Sequence, residues 1–488
     1  MDSIGYGAGS ALALLCLSLM EMRRCLALAL CCGMLTANAR DWRIDWRSVD
    51  PELLEHYRAL LRIDTSNPPG NETRAVSYLT RVLDREHIPW QRFALAPNRA
   101  NLVARLKGNG AKRPVMLLGH TDVVGVDREK WRVDPFAAIL RDGWVLGRGS
   151  IDDKSHVAVS LMALILLHRL KVPLDRDVIF LAEAGEEGTT QWGIDYLVRQ
   201  HWDRIAAEFA LAEGGQITAH GNTVRCVEIA TTEKMVRPMR LIAHGTSGHG
   251  SQPRPDNPIV HLAAAISRIS RWQTPMRLNE TTRAWFAGLA KISAPDDAFR
   301  YAHVADPERT ASIQQYFAEH EIANYAILRT SIVPTVIQGG FRANVIPAEA
   351  EAVLDIRALP DEDMNRFVAD LRRVVGDSSI EIKPQNGAAR PAAPPSRVDT
   401  EMFHALEHAQ KKLFPESITL PAMCTGATDL AQLRARGVQG YGYGPVVDEM
   451  AREAGGGPHS DDERLREDSL YKMAEFLWLA LTDVAASK

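Results

Sequence analysis

Short apolar runs that end in glycine or a carboxylate alternate with longer segments of helical period through the first half of the chain. Residues 113–119, 177–182 and 209–212 are each a brief apolar run, the mark of a strand buried on both faces. Residues 51–62 and 72–86 carry amphipathic helical period, and 151–170 is helical and strongly apolar. Strands alternating with helices predict an α/β layer with a mainly parallel sheet between helices.

The texture changes near Lys234. Residues 236–244 read as a strand and 257–272 as a helix. Residues 273–330 are mixed and mostly helical. Strands are expected at 333–338, 350–357 and 379–383, with a helix at 361–375. This is a separate α+β unit, set within the α/β layer. The Pro- and Ala-rich stretch 386–395 reads as the linker back, and helices are expected at 400–413 and 469–485 around a polar, glycine-rich stretch. The predicted organisation is a leader over 1–39, a first part of the main domain over 40–234, an inserted domain over 235–387, and a second part over 388–488.

Size supports the division, because 488 residues exceed one ordinary core. A hydrophobic fraction of 46% and a charged fraction of 24% are those of a soluble globular protein. The net charge of −4 and the lack of a basic run exclude nucleic acid as a partner. Residues 10–20 and 25–35 are apolar, but each is shorter than the roughly 20 residues that span a bilayer. Read from Met22, the pattern is Arg23-Arg24, an apolar run, then Ala37-Asn38-Ala39, which is an export signal with an A-x-A cleavage site. Met22 is therefore expected to be the true start, and the mature protein is expected in the periplasm or outside the cell with no stable membrane span. Four of the six cysteines fall in this leader; Cys226 and Cys424 remain, without a disulfide framework.

Five polar clusters sit at the ends of these elements. In Gly119-His120-Thr121-Asp122, the histidine and aspartate are two apart on an extended segment and share a side, which suits a metal-bound imidazole held by a carboxylate. Gly147-Arg148-Gly149-Ser150-Ile151-Asp152-Asp153-Lys154 precedes the apolar helix, and Asp152 or Asp153 could bridge two cations or simply cap the helix. Glu183-Ala184-Gly185-Glu186-Glu187 pairs carboxylates after a buried strand, where one can bind metal while its neighbour acts as a base. Glu213 follows another strand, and His459 lies in Gly457-Pro458-His459-Ser460-Asp461-Asp462-Glu463. Nitrogen and oxygen donors without thiolate fit zinc, with cobalt or manganese as substitutes.

In this order the segments resemble those of peptidase family M20, the dinuclear zinc hydrolases that include aminoacylase, glutamate carboxypeptidase and succinyl-diaminopimelate desuccinylase. The GHTDVV, Trp131 to Phe136 and GRGxxDDK segments are most similar to the carboxypeptidase S branch. The resemblance implies a zinc-exopeptidase-like catalytic domain interrupted by a ferredoxin-like lid that also makes the dimer contact. It implies two zinc ions held by His120, Asp152, Glu187, Glu213 and His459, with Asp152 as the bridge, Asp122 orienting His120, and Glu186 as general base and acid. Gly245-Thr246-Ser247-Gly248-His249-Gly250-Ser251 resembles the lid motif, so His249 would stabilise the oxyanion, often in the partner's site. Asn344 and Arg357 match lid positions that hold substrate, and Gly426, in Gly426-Ala427-Thr428-Asp429, lies near the pocket in relatives. Ser155, where many members have glycine, and Asp462, where many have asparagine, depart from the pattern without touching a ligand. The implied activity is hydrolysis of a peptide or N-acyl amide bond beside a free carboxylate, with a small peptide or N-acyl amino acid as substrate. Two other readings stay open: a metal-bearing scaffold without catalysis, and a serine hydrolase through Ser247 or Ser251, which lacks a GxSxG elbow.

Overall fold

The computed structural model describes residues 42–487 except 222, 386–388 and 449–454, so the predicted leader and part of the predicted linker lie outside the described residues. The larger sheet takes seven strands from the first part of the chain: β1 (Trp90–Ala94), β2 (Ala100–Leu106), β3 (Val115–His120), β4 (Val178–Glu183), β5 (Phe209–Ala212), β6 (Gln216–His220) and β7 (Thr223–Glu233). A second sheet follows with β8 (Met235–Val236), β9 (Met239–His244), β10 (Ser331–Gly339), β11 (Glu349–Ala358) and β12 (Ile380–Pro384). The chain then returns β13 (Ile418–Cys424), β14 (Gln439–Gly442) and β15 (Val446–Asp448) to the first sheet.

The first sheet runs β1-β2-β4-β3-β5-β14-β7-β6-β15, with β13 paired to β7. Its middle, β4-β3-β5-β14, is parallel, and antiparallel pairs appear toward the edges. Parallel strands end on the same side, so His120, Glu183 and the residue after Ala212 reach one edge of the sheet together. In open α/β sheets that carboxyl edge is where ligands bind. The helices α1 (Trp46–Leu61), α2 (Lys154–Arg169) and, at the C-terminus, Glu467–Ala485 pack together on one face. Every residue of α2 from Lys154 to Leu167 is buried, which explains why its sequence is apolar on all sides.

In the second unit β9, helix α3 (Pro258–Ser270), β10, β11, helix α4 (Met364–Val375) and β12 follow one another, and the sheet order is β10-β11-β9-β12, antiparallel throughout. That is the ferredoxin-like arrangement. Leu262, Ala265 and Ile269 of α3 and Phe367, Leu371 and Val375 of α4 close its core against Leu241, Ala352 and Leu354. Val333, Val336 and Ile337 of β10 stay exposed, as does Phe341 beyond it. Between α3 and β10 lie four helices, Glu280–Ile292, Pro295–Ala302, Thr310–His320 and Ile322–Ile327, around the stacked rings of Phe286 and Phe317. These helices pack on β13 of the larger sheet: Met423 joins their core, and Leu420 fills the space where Gly288 has no side chain. Among the described residues no helix is long and apolar enough to cross a membrane.

Candidate metal centre

Four loops converge at the carboxyl edge of β3, β4 and β5. Asp152, just before α2, lies between two imidazoles: its Oδ1 is 2.8 Å from His120 Nε2 and its Oδ2 is 3.2 Å from His459 Nε2. Glu187 Oε1 is 3.0 Å from His459 Nε2, and Glu213 Oε1 is 3.9 Å from His120 Nε2. Ligating atoms of His120, Asp152 and Glu187 lie within 4.8 Å of one another, as do those of His120, Asp153 and Glu213. Asp153 is otherwise engaged, because its Oδ2 accepts the His120 amide and its Oδ1 is 2.5 Å from His156 Nδ1. All five residues predicted as ligands thus meet in one cluster, although His459 is separated from His120 by most of the chain.

The loops are held by carboxylates that face backbone amides. Asp122 accepts the amides of Gly185, Glu186 and Glu187 at 2.9, 3.2 and 3.2 Å, and the Asn67 side chain at 2.8 Å. Its relation to His120 differs from the expected one: His120 Nδ1 is 3.0 Å from the Asp122 carbonyl and 3.6 Å from its carboxylate. Asp122 therefore shapes the Glu186–Glu187 turn as much as the imidazole. Glu463, fully buried, accepts the amides of Gly149, Ile151 and Asp152 at 2.9, 2.8 and 3.2 Å and the Arg148 guanidinium at 2.8 Å. Arg148 also donates to the His459 carbonyl. Gly149 is obligatory here, since its φ is +82° and a Cβ would sit 2.6 Å from Val123.

The electrostatics fit a cation site. Burial works against charge on His120, yet hydrogen bonds to Asp122 and Asp152 and the charges of Glu213 and Asp153 outweigh it and hold the imidazole well above its usual range. Hydrogen bonds to Asp152 and Glu187 push His459 up to about 10. Burial raises Glu213 well above the carboxylate range, with Asp152 and Asp153 adding to it. Carboxylates crowded this closely draw protons onto their neighbours, and divalent cations relieve the same excess of negative potential. The donor set of two imidazoles and three carboxylates, free of sulfur, matches zinc, cobalt or manganese. Glu186 has its side chain almost buried; burial pushes it up to about 7, while Arg390 and His120 pull the other way.

The lid residues lie elsewhere. His249 and Asn344 are neighbours on exposed loops, with His249 paired to Val345 and the Gly250 amide donating to the Asn344 carbonyl. Arg357 lies at the far end of β11, hydrogen-bonded to Asp355. Among the described residues no hydrogen bond or ion pair joins these three to the cluster. Gly426 is partly buried, and a Cβ there would meet only Cys424 Sγ at 3.5 Å. Sequence reading missed Asn67, Arg390 and the role of Glu463. Only Glu463 carried a signal, as the carboxylate of the last motif.

Residues 116–483 match the family described as Peptidase family M20/M25/M40. N-fatty-acyl-amino acid synthase/hydrolase PM20D1 of Homo sapiens is 30% identical over 323 residues, 65% of this chain and 64% of that protein, so the matched stretch spans less than two thirds of the relative. Aminoacylase-1 of Mus musculus is 27% identical over 433 residues, 86% of this chain and 93% of that protein. The M20 family metallo-carboxypeptidase Sso-CP2 from Sulfolobus solfataricus shares the fold with a TM-score of 0.70 at 19% identity, over 89% of this chain and 99% of that one. The chain belongs to peptidase family M20/M25/M40.

Proposed function

We propose that the chain hydrolyses a peptide or N-acyl amide bond next to a free carboxylate, using two zinc ions. The placement of Asp152 between His120 and His459, flanked by Glu213 and Glu187, carries this reading. His120, Asp152 and Glu213 would hold one ion and His459, Asp152 and Glu187 the other. When bound, two such ions act as Lewis acids that acidify water and offset charge developing on the carbonyl oxygen. Glu186 takes a proton from the attacking water as the C–O bond forms, then returns it to the leaving nitrogen as the C–N bond breaks. Arg357 suits the substrate carboxylate, which its planar fork can hold through both oxygens in place of Asp355.

His249 would stabilise the oxyanion from the lid of a second subunit. This is supported by its place beside Val345, before β11 begins, whereas Arg357 lies at the other end of β11, and by the exposed apolar edge strand β10. Export to the periplasm or the outside of the cell is proposed on the leader pattern, and fractionation of cells expressing the full chain tests it.

The test of the activity is a panel of dipeptides and N-acyl amino acids, assayed with zinc, cobalt and manganese. Wild type should release free amino acid with two metal ions bound per chain. Glu186→Gln should keep the metal and lose at least about 100-fold in kcat. Full metal loading with no hydrolysis of any member of the panel would instead favour the scaffold.

A further inference from the structure

The linker that returns the chain from the lid carries one arginine, and it reaches the reacting end of the site. Arg390 is buried. Its Nη2 donates to the Glu186 carboxylate through Oε1 and to the Glu186 carbonyl at 3.3 Å. Its Nη1 donates to Asp429 Oδ1 at 2.7 Å. One guanidinium therefore holds the backbone and the side chain of the same glutamate, and is itself braced by the turn before residues Leu430–Arg434.

The described residues on either side anchor the segment that carries Arg390. The Gln385 amide donates to the Pro238 carbonyl on the lid side, and the Ser396 amide and hydroxyl donate to the Thr231 and Gly440 carbonyls at 2.8 Å on the other. Pro391, Pro394 and Pro395 fix φ at three positions between Arg390 and Ser396. A guanidinium stays protonated and accepts no hydrogen bond, so Arg390 cannot relay the proton that Glu186 carries. Its planar fork can fix the orientation of the carboxylate, and a lysine in its place could not make all three contacts with that rigidity.

We propose that Arg390 is the positioning residue of the general base: it locks Glu186 through one carboxylate oxygen and the backbone, leaving the other oxygen to meet water and the leaving nitrogen. This rests on Glu186 being the base. Displacement of a reacting group by about an ångström costs on the order of 100-fold in rate. The role therefore belongs to kcat rather than to substrate affinity or metal binding.

The experiment compares Arg390→Ala, Arg390→Lys and Glu186→Gln in the zinc-loaded full chain with an N-acyl amino acid that the wild type hydrolyses. Arg390→Ala should lower kcat about 10–100-fold with KM within about threefold and zinc content unchanged. Arg390→Lys should recover part of the loss, and added guanidinium ion should rescue Arg390→Ala but not Glu186→Gln. A rise in KM at constant kcat would make Arg390 a grip for the substrate carboxylate and overturn the proposal, as would wild-type kinetics in Arg390→Ala. If Arg390→Ala does not fold, Arg390→Lys decides: a loss in kcat alone upholds the role, and wild-type behaviour overturns it. Should Glu186→Gln retain wild-type kcat, the base itself is misassigned, whatever Arg390 does. If no substrate is turned over, crystal structures of wild type and Arg390→Ala decide. A displaced or multiply oriented Glu186 side chain upholds the lock, and an unmoved one overturns it.

Discussion

Glu463 is not one of the five candidate metal donors and meets them only through the Asp152 amide, yet it fixes where two of them stand. Its carboxylate gathers the amides around Asp152, and its partner Arg148 holds the carbonyl of His459. Removing one partner of a buried charged pair costs about 3–5 kcal/mol, and loss of such supporting contacts costs about 10–100-fold in metal affinity. Glu463→Gln should therefore lower the melting temperature and weaken zinc retention against a chelator, while Asp461→Asn, on an exposed turn, should do neither. The candidate donors were legible because His120, Asp152, Glu187 and Glu213 end or follow a strand or precede a helix among glycines and carboxylates, and His459, in a turn, stands in a motif of the same kind. Asn67 and Arg390 were not. Asn67 sits in a two-residue strand and Arg390 in an irregular segment, 55 and 204 residues from the side chains they hold, and nothing periodic marks them.

At the scale of elements, the central strands and long helices stand where their apolar period places them. Strands β1, β2, β6, β7, β13, β14 and β15 were not foreseen. Gln216–His220 and Thr223–Glu233 mix polar and apolar residues in a half-buried hairpin, and Gln439–Gly442 is short and glycine-rich, so a turn-like composition hides them. One helix also carries a pH-dependent tether. His261 of α3 is 2.6 Å from Asp377 through Nδ1 and 3.0 Å from the Pro255 carbonyl through Nε2. The hydrogen bond to Asp377 raises the imidazole above its usual 6.5, and hydrogen bonds from Ser379 and His261 bring Asp377 down to about 2. The histidine's contribution is complete below 6.5 and fades as pH rises through its raised value. The aspartate's is complete above 3.8 and fades as pH falls toward 2. His261→Gln should accordingly destabilise the protein more at pH 5.5 than at pH 9 in denaturant titrations.

At the scale of the molecule, the proposed pairing of subunits makes two demands. Ile337→Glu puts a charge on the exposed face of β10 and should shift sedimentation toward monomer. If His249 acts in the neighbouring site, Glu186→Gln and His249→Ala proteins, each inactive alone, should regain activity on mixing, with about one site in four complete in a random assortment of dimers. Strictly additive, near-zero rates in the mixture would place His249 in its own subunit's site.

The helices between α3 and β10 bear on how such a molecule can open. They belong to the lid by sequence, but Gly288 straddles Leu420, and Thr281 is hydrogen-bonded to Thr231 at 3.0 Å. A swing of the whole lid would pull these contacts apart. Any motion that spares them turns about that shoulder, so the loop carrying His249 travels farthest while Arg357 scarcely shifts. If Arg357 holds the substrate carboxylate and His249 serves the neighbouring site as proposed, each closing lid leaves its own grip in place while it completes the site across the interface.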